Sequence, residues 1–186
     1  AHHIIHRDLN PTNIIVGDEA PTIAIADLGL AVRLSPAAPY LVTESMEGTL
    51  SYMAPEQTGR VRRPIDVRSD LYALGCVIYD MVAGTPPFSS DDTLELIHAQ
   101  IARIPIPLRE RRSDCPQELS DLVAILLQKD PDQRYQSAYG VRHDLNAIQR
   151  SMSTGATVTL KSNDRSERFV VSQRLHGRTR ELMTLR

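Results

Sequence analysis

The chain has 186 residues, 41% of them hydrophobic, which is enough to build one domain with a proper core. Its 21 basic and 23 acidic residues leave a formal net charge of -2, so charge gives no push toward nucleic acid or an anionic membrane. No run is long enough to span a bilayer, no signal-peptide pattern opens the chain, and Cys76 and Cys115 have no metal-ligand company and form no disulfide framework; the expectation is a soluble, cytoplasmic protein.

The first residue is Ala1 and not methionine, and His2 to Ile5 run straight into a polar stretch, HRDLNPTN, at residues 6–13. A chain that begins inside a domain is expected to look this way. TNIIV at 12–16 and TIAIA at 22–26 are β-branched runs separated by the turn residues GDEAP, and they predict a hairpin. Asp27 follows the second strand directly. Residues 31–50, with Pro36, Pro39 and Gly48 scattered through them, read as one long loop.

The clearest helix is predicted over 69–84, with Leu71, Leu74, Val77, Ile78, Met81 and Val82 at spacings of three and four, Ser69 or Asp70 as its cap and Gly84 as its end. A second helix is predicted over 91–104 with Leu94, Ile97 and Ile101 on one face, stopped by Pro105 and Pro107. Residues 108–116 read as irregular. A third helix is predicted over 117–128, with Leu119, Leu122, Val123, Leu126 and Leu127 inward, and a fourth over 138–150, capped by Ser137 and using Val141, Leu145 and Ile148. From 151 to 168 the texture turns small, polar and charged, as in a linker. The expected fold class is mainly α with a small β-hairpin.

Asp8 and Asn13 flank Pro11, and antiparallel pairing would return Asp27 close to Asn13. Two carboxylates and an amide around one small space suit a divalent cation with bound phosphates, because Mg²⁺ takes oxygen ligands and commonly only one or two protein carboxylates. Asp27 is then the stronger metal ligand and Asn13 a neutral one. Asp8 is left to orient an attacking hydroxyl and accept its proton. Taken singly, each of these residues also suits a turn or a strand end.

In combination they resemble a protein kinase of the eukaryotic-like serine/threonine class. HRDLNPTN matches that family's H-R-D-L-x-P-x-N stretch, and DLG at 27–29 stands where the family has D-F-G. GTLSYMAPE resembles the end of the activation segment, with Ala54, Pro55 and Glu56 as the A-P-E motif. The resemblance implies ATP and Mg²⁺ as cofactors and a protein substrate. It implies Asp8 as the proton acceptor, Arg7 as the reader of the activation segment, and Asn10, Asn13 and Asp27 at the nucleotide, the last two on the metal. It implies structural roles for His6, Gly29, Thr49, Ala54, Pro55, Glu56, Asp70 and Arg134. Asp70 would accept bonds from the catalytic-loop backbone, and Arg134 would pair with Glu56. The fold implied is a kinase C-terminal lobe, with the N-terminal lobe, its Gly-rich loop, strand lysine and helix glutamate absent from this chain.

Asn10 stands where the family usually has a lysine that meets the transferred phosphate, which removes a positive charge. Thr43, Ser45 and Ser51 are the hydroxyls available in the activation segment, and Arg60, Arg62 and Arg63 form a basic run after A-P-E. More narrowly, YMAPEQTGRVRRPIDVRSDLYALG, KDPDQRYQSAYGVRHDL and FVVSQRLHGRTRELMTL resemble the kinase-like head of bacterial multidomain signalling proteins, which continue into an AAA-type ATPase module, a GAF domain and a sensor histidine kinase. The implied division is a lobe at 1–150, a linker at 151–168 and the start of an ATPase module at 169–186, where Gly177, Arg178 and Glu181 fit the module's opening. The implied function is phosphorylation of protein serine or threonine, with this fragment expected to be inactive alone; the alternative is a pseudokinase lobe that scaffolds or regulates.

Overall fold

The computed structural model describes residues 4–18, 22–35, 38, 40–42 and 45–165, in which a polar loop and a hairpin are carried on packed helices. Strand β1 (Ile4–Ile5) leads through the loop at 6–10 and a 3-10 turn at Pro11–Asn13 into β2 (Ile14–Val16). β2 pairs antiparallel with β3 (Ile23–Ile25), Ile14 opposite Ile25 and Val16 opposite Ile23, as the two β-branched runs predict. Ile15, Val16, Ile23 and Ile25 are each more than half exposed.

The stretch expected to be loop from 31 to 50 holds a further strand. β4 (Val32–Arg33) pairs antiparallel with β1, Ile5 opposite Val32, and Leu41 bridges to Ile65. Two residues are too few to show alternation, so this pairing is set by tertiary contact and leaves no periodic signal.

Helix α1 (Val67–Ala83) is the central element, buried on most sides. Its cap is Asp66, whose carboxylate accepts the Arg68 N–H, and not Ser69 or Asp70. Those two lie inside the first turn and face other partners. Gly84 ends the helix as predicted, donating to Asp80 O. Met81, expected inward, is 78% exposed, because it lies at the edge of the apolar stripe in the last turn.

α2 (Thr93–Ala102) is capped by Asp92. Its buried residues are Leu96, Ile97, Ala99 and Gln100, while Leu94 is exposed. The inward face includes a glutamine, which a count of apolar spacings does not see. α3 (Leu108–Arg111) is a single turn around buried Leu108 in the segment expected to be irregular. α4 (Gln117–Leu126) buries Leu122, Val123 and Leu126 against α1, as predicted. α5 (Ala138–Thr154) is capped by Ser137, whose hydroxyl accepts the Gly140 N–H, and runs four residues beyond Arg150.

The segment after α5 lies against the helices. Val158 and Leu160 pack on the core, and the Asp164 carboxylate accepts the N–H groups of Gln136 (2.8 Å) and Ser137 (3.1 Å). Its polar residues find partners on the protein, which composition alone does not show. Ala1 to His3, Pro36, Pro39, Thr43 and everything from 166 on, including Gly177, Arg178 and Glu181, lie outside the described residues. Among the described residues no helix is long and apolar enough to cross a membrane, and Cys76 and Cys115 are buried thiols.

Candidate active site

One carboxylate holds the polar loop from beneath. Asp70, in the first turn of α1, accepts the backbone N–H of His6 (2.7 Å) and of Arg7 (2.9 Å). Burial pushes its carboxyl above the usual range, and the two N–H bonds oppose that rise. Two consecutive amides reach one carboxylate because the chain turns at Arg7, whose φ is 71°. A non-glycine residue there carries strain of roughly 1–2 kcal/mol, which lasts only where the surroundings enforce it. The His6 ring meets Ala26 O through Nε2 (3.0 Å), and since a carbonyl only accepts, Nε2 carries the proton. The Arg7 guanidinium, nearly buried, donates to Glu47 (3.1 Å) and to Leu30 O (3.4 Å).

Both oxygens of Asp8 are engaged. Oδ1 accepts the Thr49 N–H (2.7 Å), and Oδ2 accepts Asn13 Nδ2 (3.3 Å). The same Asn13 nitrogen donates to Asp8 O (2.9 Å). The backbone at residues 48–49 can come this close because residue 48 is glycine. Its φ is 115°, and a Cβ there would sit 3.2 Å from Arg7 O and 3.3 Å from Asp8 Oδ1.

Asn10 is 2% exposed and spends its amide inside the loop. Nδ2 donates to Asp8 O (3.1 Å) and Thr49 Oγ1 (3.1 Å), while Oδ1 accepts the N–H (2.9 Å) and hydroxyl (2.6 Å) of Thr12. That employment differs from the nucleotide contact expected at this position.

Asp27 comes to Asn13 through the hairpin. The Ala26 N–H donates to Asn13 O (2.8 Å), so Asp27 begins one residue beyond the position opposite Asn13. Its φ is 56°, a second strained non-glycine residue at the same place, and its Oδ1 accepts the Gly29 N–H (3.1 Å). Leu28, beside it, is exposed. Asn13 uses its nitrogen on Asp8, which leaves the amide oxygen for a ligand. An exposed carboxylate and an amide oxygen form a hard-oxygen donor pair that fits Mg²⁺ when phosphate and water complete the shell.

Glu56 and Arg134 meet in the core as a two-pronged pair, at 2.6 and 2.8 Å, with side chains 1% and 0% exposed. Ser69 donates to Glu56 (2.7 Å), and Arg134 also donates to the carbonyls of Gln128, Arg68 and Lys129. Every charge in this pair is bonded, the condition under which a buried ion pair is tolerated. It ties the 3-10 turn Pro55–Thr58, which follows Ala54, to α1 and the loop before α5. Three site residues carried no sequence signal: Glu47 on Arg7, Gln57, whose Nε2 donates to Arg7 O (2.8 Å), and Gln100 on α2.

The family model described as protein kinase domain matches residues 1–145, and the chain belongs to the protein kinase family. It is 34% identical over 166 residues to serine/threonine-protein kinase PknB of Mycolicibacterium smegmatis, covering 89% of this chain and 26% of that protein. A probable serine/threonine-protein kinase of Clostridium perfringens is also 34% identical over 166 residues, which is 89% of this chain and 23% of that one. Hybrid signal transduction histidine kinase G of Dictyostelium discoideum is 44% identical over 105 residues, 56% of this chain and 3% of a much longer protein, in keeping with a kinase-like head in a multidomain chain. The chain spans about a quarter of the length of the bacterial relatives it matches over most of its own.

Proposed function

We propose that the chain is the C-terminal lobe of a kinase domain, at residues 1–150, and that it serves transfer of the γ-phosphoryl group of ATP to serine or threonine hydroxyls of a protein substrate. The observation that carries this reading is the Asp8 carboxylate, held on one oxygen by Thr49 and on the other by Asn13, with Asp27 one register step away. Asp8 orients the substrate hydroxyl and accepts its proton as the phosphoryl group transfers. Asn13 Oδ1 and Asp27 hold Mg²⁺, which supplies neutralisation of charge on the phosphates. Arg7 and Glu47 fix the activation segment over the loop. Such chemistry is mostly positioning, which is why it needs few residues and a strained, heavily bonded loop. An ATP donor suits a cytoplasmic protein, and the narrower resemblance supports a parent chain that continues into ATPase, GAF and histidine kinase modules.

One observation favours a second reading. With Asn10 sealed in the loop, no cation stands at the position of the family's lysine, which suits a scaffolding pseudokinase lobe. The test is phosphotransfer from γ-labelled ATP to casein by the intact protein, with and without Mg²⁺. Expected are Mg²⁺-dependent transfer, a loss of about 10²–10⁴-fold in Asp8→Asn, and a comparable loss in Asp27→Asn. Equal rates for Asp8→Asn and the unaltered protein overturn the assignment of Asp8. ATP binding without transfer selects the scaffolding reading.

A further inference from the structure

We propose that Gln100 on α2 is a positioning residue for this site, holding the 3-10 turn Leu50–Tyr52 and thereby keeping Thr49 on the Asp8 carboxylate. The inference rests on the reading of Asp8 as proton acceptor. Gln100 is completely buried. Its Nε2 donates to Leu50 O (2.9 Å) and Ser51 O (3.0 Å), and its Oε1 accepts the Tyr72 hydroxyl (2.7 Å). A primary amide offers two donor hydrogens and one oxygen, and all are engaged here.

The glutamine is itself fixed. The Lys129 ammonium donates to Gln100 O (2.8 Å), Ala99 O (3.2 Å) and the Tyr72 hydroxyl (3.3 Å), and lies 4.3 Å from the centre of the Phe88 ring. Lysine thereby satisfies the Gln100 carbonyl at the end of α2 and shares the Ala99 carbonyl with the Arg103 N–H. Phe88, Leu96 and Ala99 pack together with Leu50 beside these bonds.

The lever from Gln100 to Asp8 is short. The turn closes back on Thr49, whose carbonyl accepts the Tyr52 N–H (3.0 Å), and the Met53 N–H donates to Leu50 O (3.2 Å). The carbonyls held by Gln100 therefore lie one and two residues from the amide that orients Asp8. An apolar side chain of equal length would fill the space and leave those carbonyls without the amide donors, so the turn would be free to shift toward water. Asn13 and Asp27 have no bond to residues 49–52, so the effect falls on turnover and not on nucleotide affinity.

The test uses Gln100→Met, which keeps length and loses the bonds, and Gln100→Glu, which sets a carboxylate against two carbonyls. Hydrogen exchange of the Thr49 amide in the intact protein is expected to rise about tenfold or more, with α4 amides protected as before. With casein and Mg·ATP, kcat is expected to fall about 10–100-fold while KM for ATP stays within about twofold. Unchanged Thr49 exchange in Gln100→Met overturns the proposal, as does a loss of protection throughout the helices, which would make Gln100 a general packing residue. If the unaltered protein transfers no phosphate, the kinase reading fails, and Thr49 exchange still decides whether Gln100 holds the turn.

Discussion

Asn10 shows how one side chain can trade charge for connectivity. A lysine at this position would carry its ammonium toward the phosphate but would have no oxygen to offer Thr12. The asparagine instead caps the 3-10 turn and reaches Thr49, so it joins the loop that carries Asp8 to the segment that orients it. We expect Asn10→Lys to lower folding stability by about 1–3 kcal/mol, the cost of leaving buried partners unpaired, and to bring no gain in phosphotransfer. Thermal melts read the first and the casein assay the second. A variant as stable as the parent and faster would show that the missing cation, and not the loop geometry, limits the site. At this scale the sequence marks candidates where chemistry is rare. Asp8, Asn13 and Asp27 stand out because acid and amide groups at such spacing suggest a phosphate and a metal. Gln57 and Gln100 do not stand out, because a neutral amide in a helix or after a proline has no pattern of its own, and its importance depends on which carbonyls lie opposite.

Among elements, the contact between α1 and α4 sets the rigidity of the platform under the loop. Gly75 is a point of close approach. A Cβ on it would lie 2.8 Å from Leu126 Cβ and 3.2 Å from Leu127 Cδ2. Alanine is the better helix former by about 1 kcal/mol in open solvent, so an isolated helix would gain from the change. Here the crowding reverses the sign. We expect Gly75→Ala to destabilise by about 1–3 kcal/mol, as overpacked cores do, with the denaturation midpoint falling and the slope unchanged. A midpoint that rises would mean that α4 can move away without loss. The helices were legible from apolar spacing because α1, α4 and α5 bury stripes of leucine, valine and isoleucine. β4 was not, being two residues long, and the inward face of α2 was misplaced because Gln100 belongs to it.

For the molecule as a whole, the segment after α5 closes the fold on itself. Asp144, 1% exposed, is the anchor: its carboxylate accepts the Tyr135 hydroxyl (2.7 Å), the Lys161 N–H (2.7 Å) and His143 Nδ1 (3.0 Å). Lys161 then reaches the carbonyls of Arg134 (2.8 Å) and Gln133 (3.2 Å), which links the segment to the arginine paired with Glu56. Because His143 donates through Nδ1, its Nε2 is left to accept from Asn163 Nδ2 (3.0 Å). Burial raises the Asp144 carboxyl, but the bonds from His143, Tyr135 and Lys161 outweigh it and leave the group below its usual range. A folded value below the unfolded one, about 3.9, means that the contribution to stability is present above that pH and lost as pH falls through the folded value. Thermal melts from about pH 7 to about pH 3 should therefore show part of the acid-side loss of stability arising at this one group. Asp144→Asn should be less stable at neutral pH by about 1.5–3 kcal/mol, the worth of bonds to a charged acceptor, and should lose less between about pH 5 and 3 than the parent does. Parallel curves for the two proteins would place the acid sensitivity elsewhere and leave Asp144 a neutral spacer between α5 and the segment it holds.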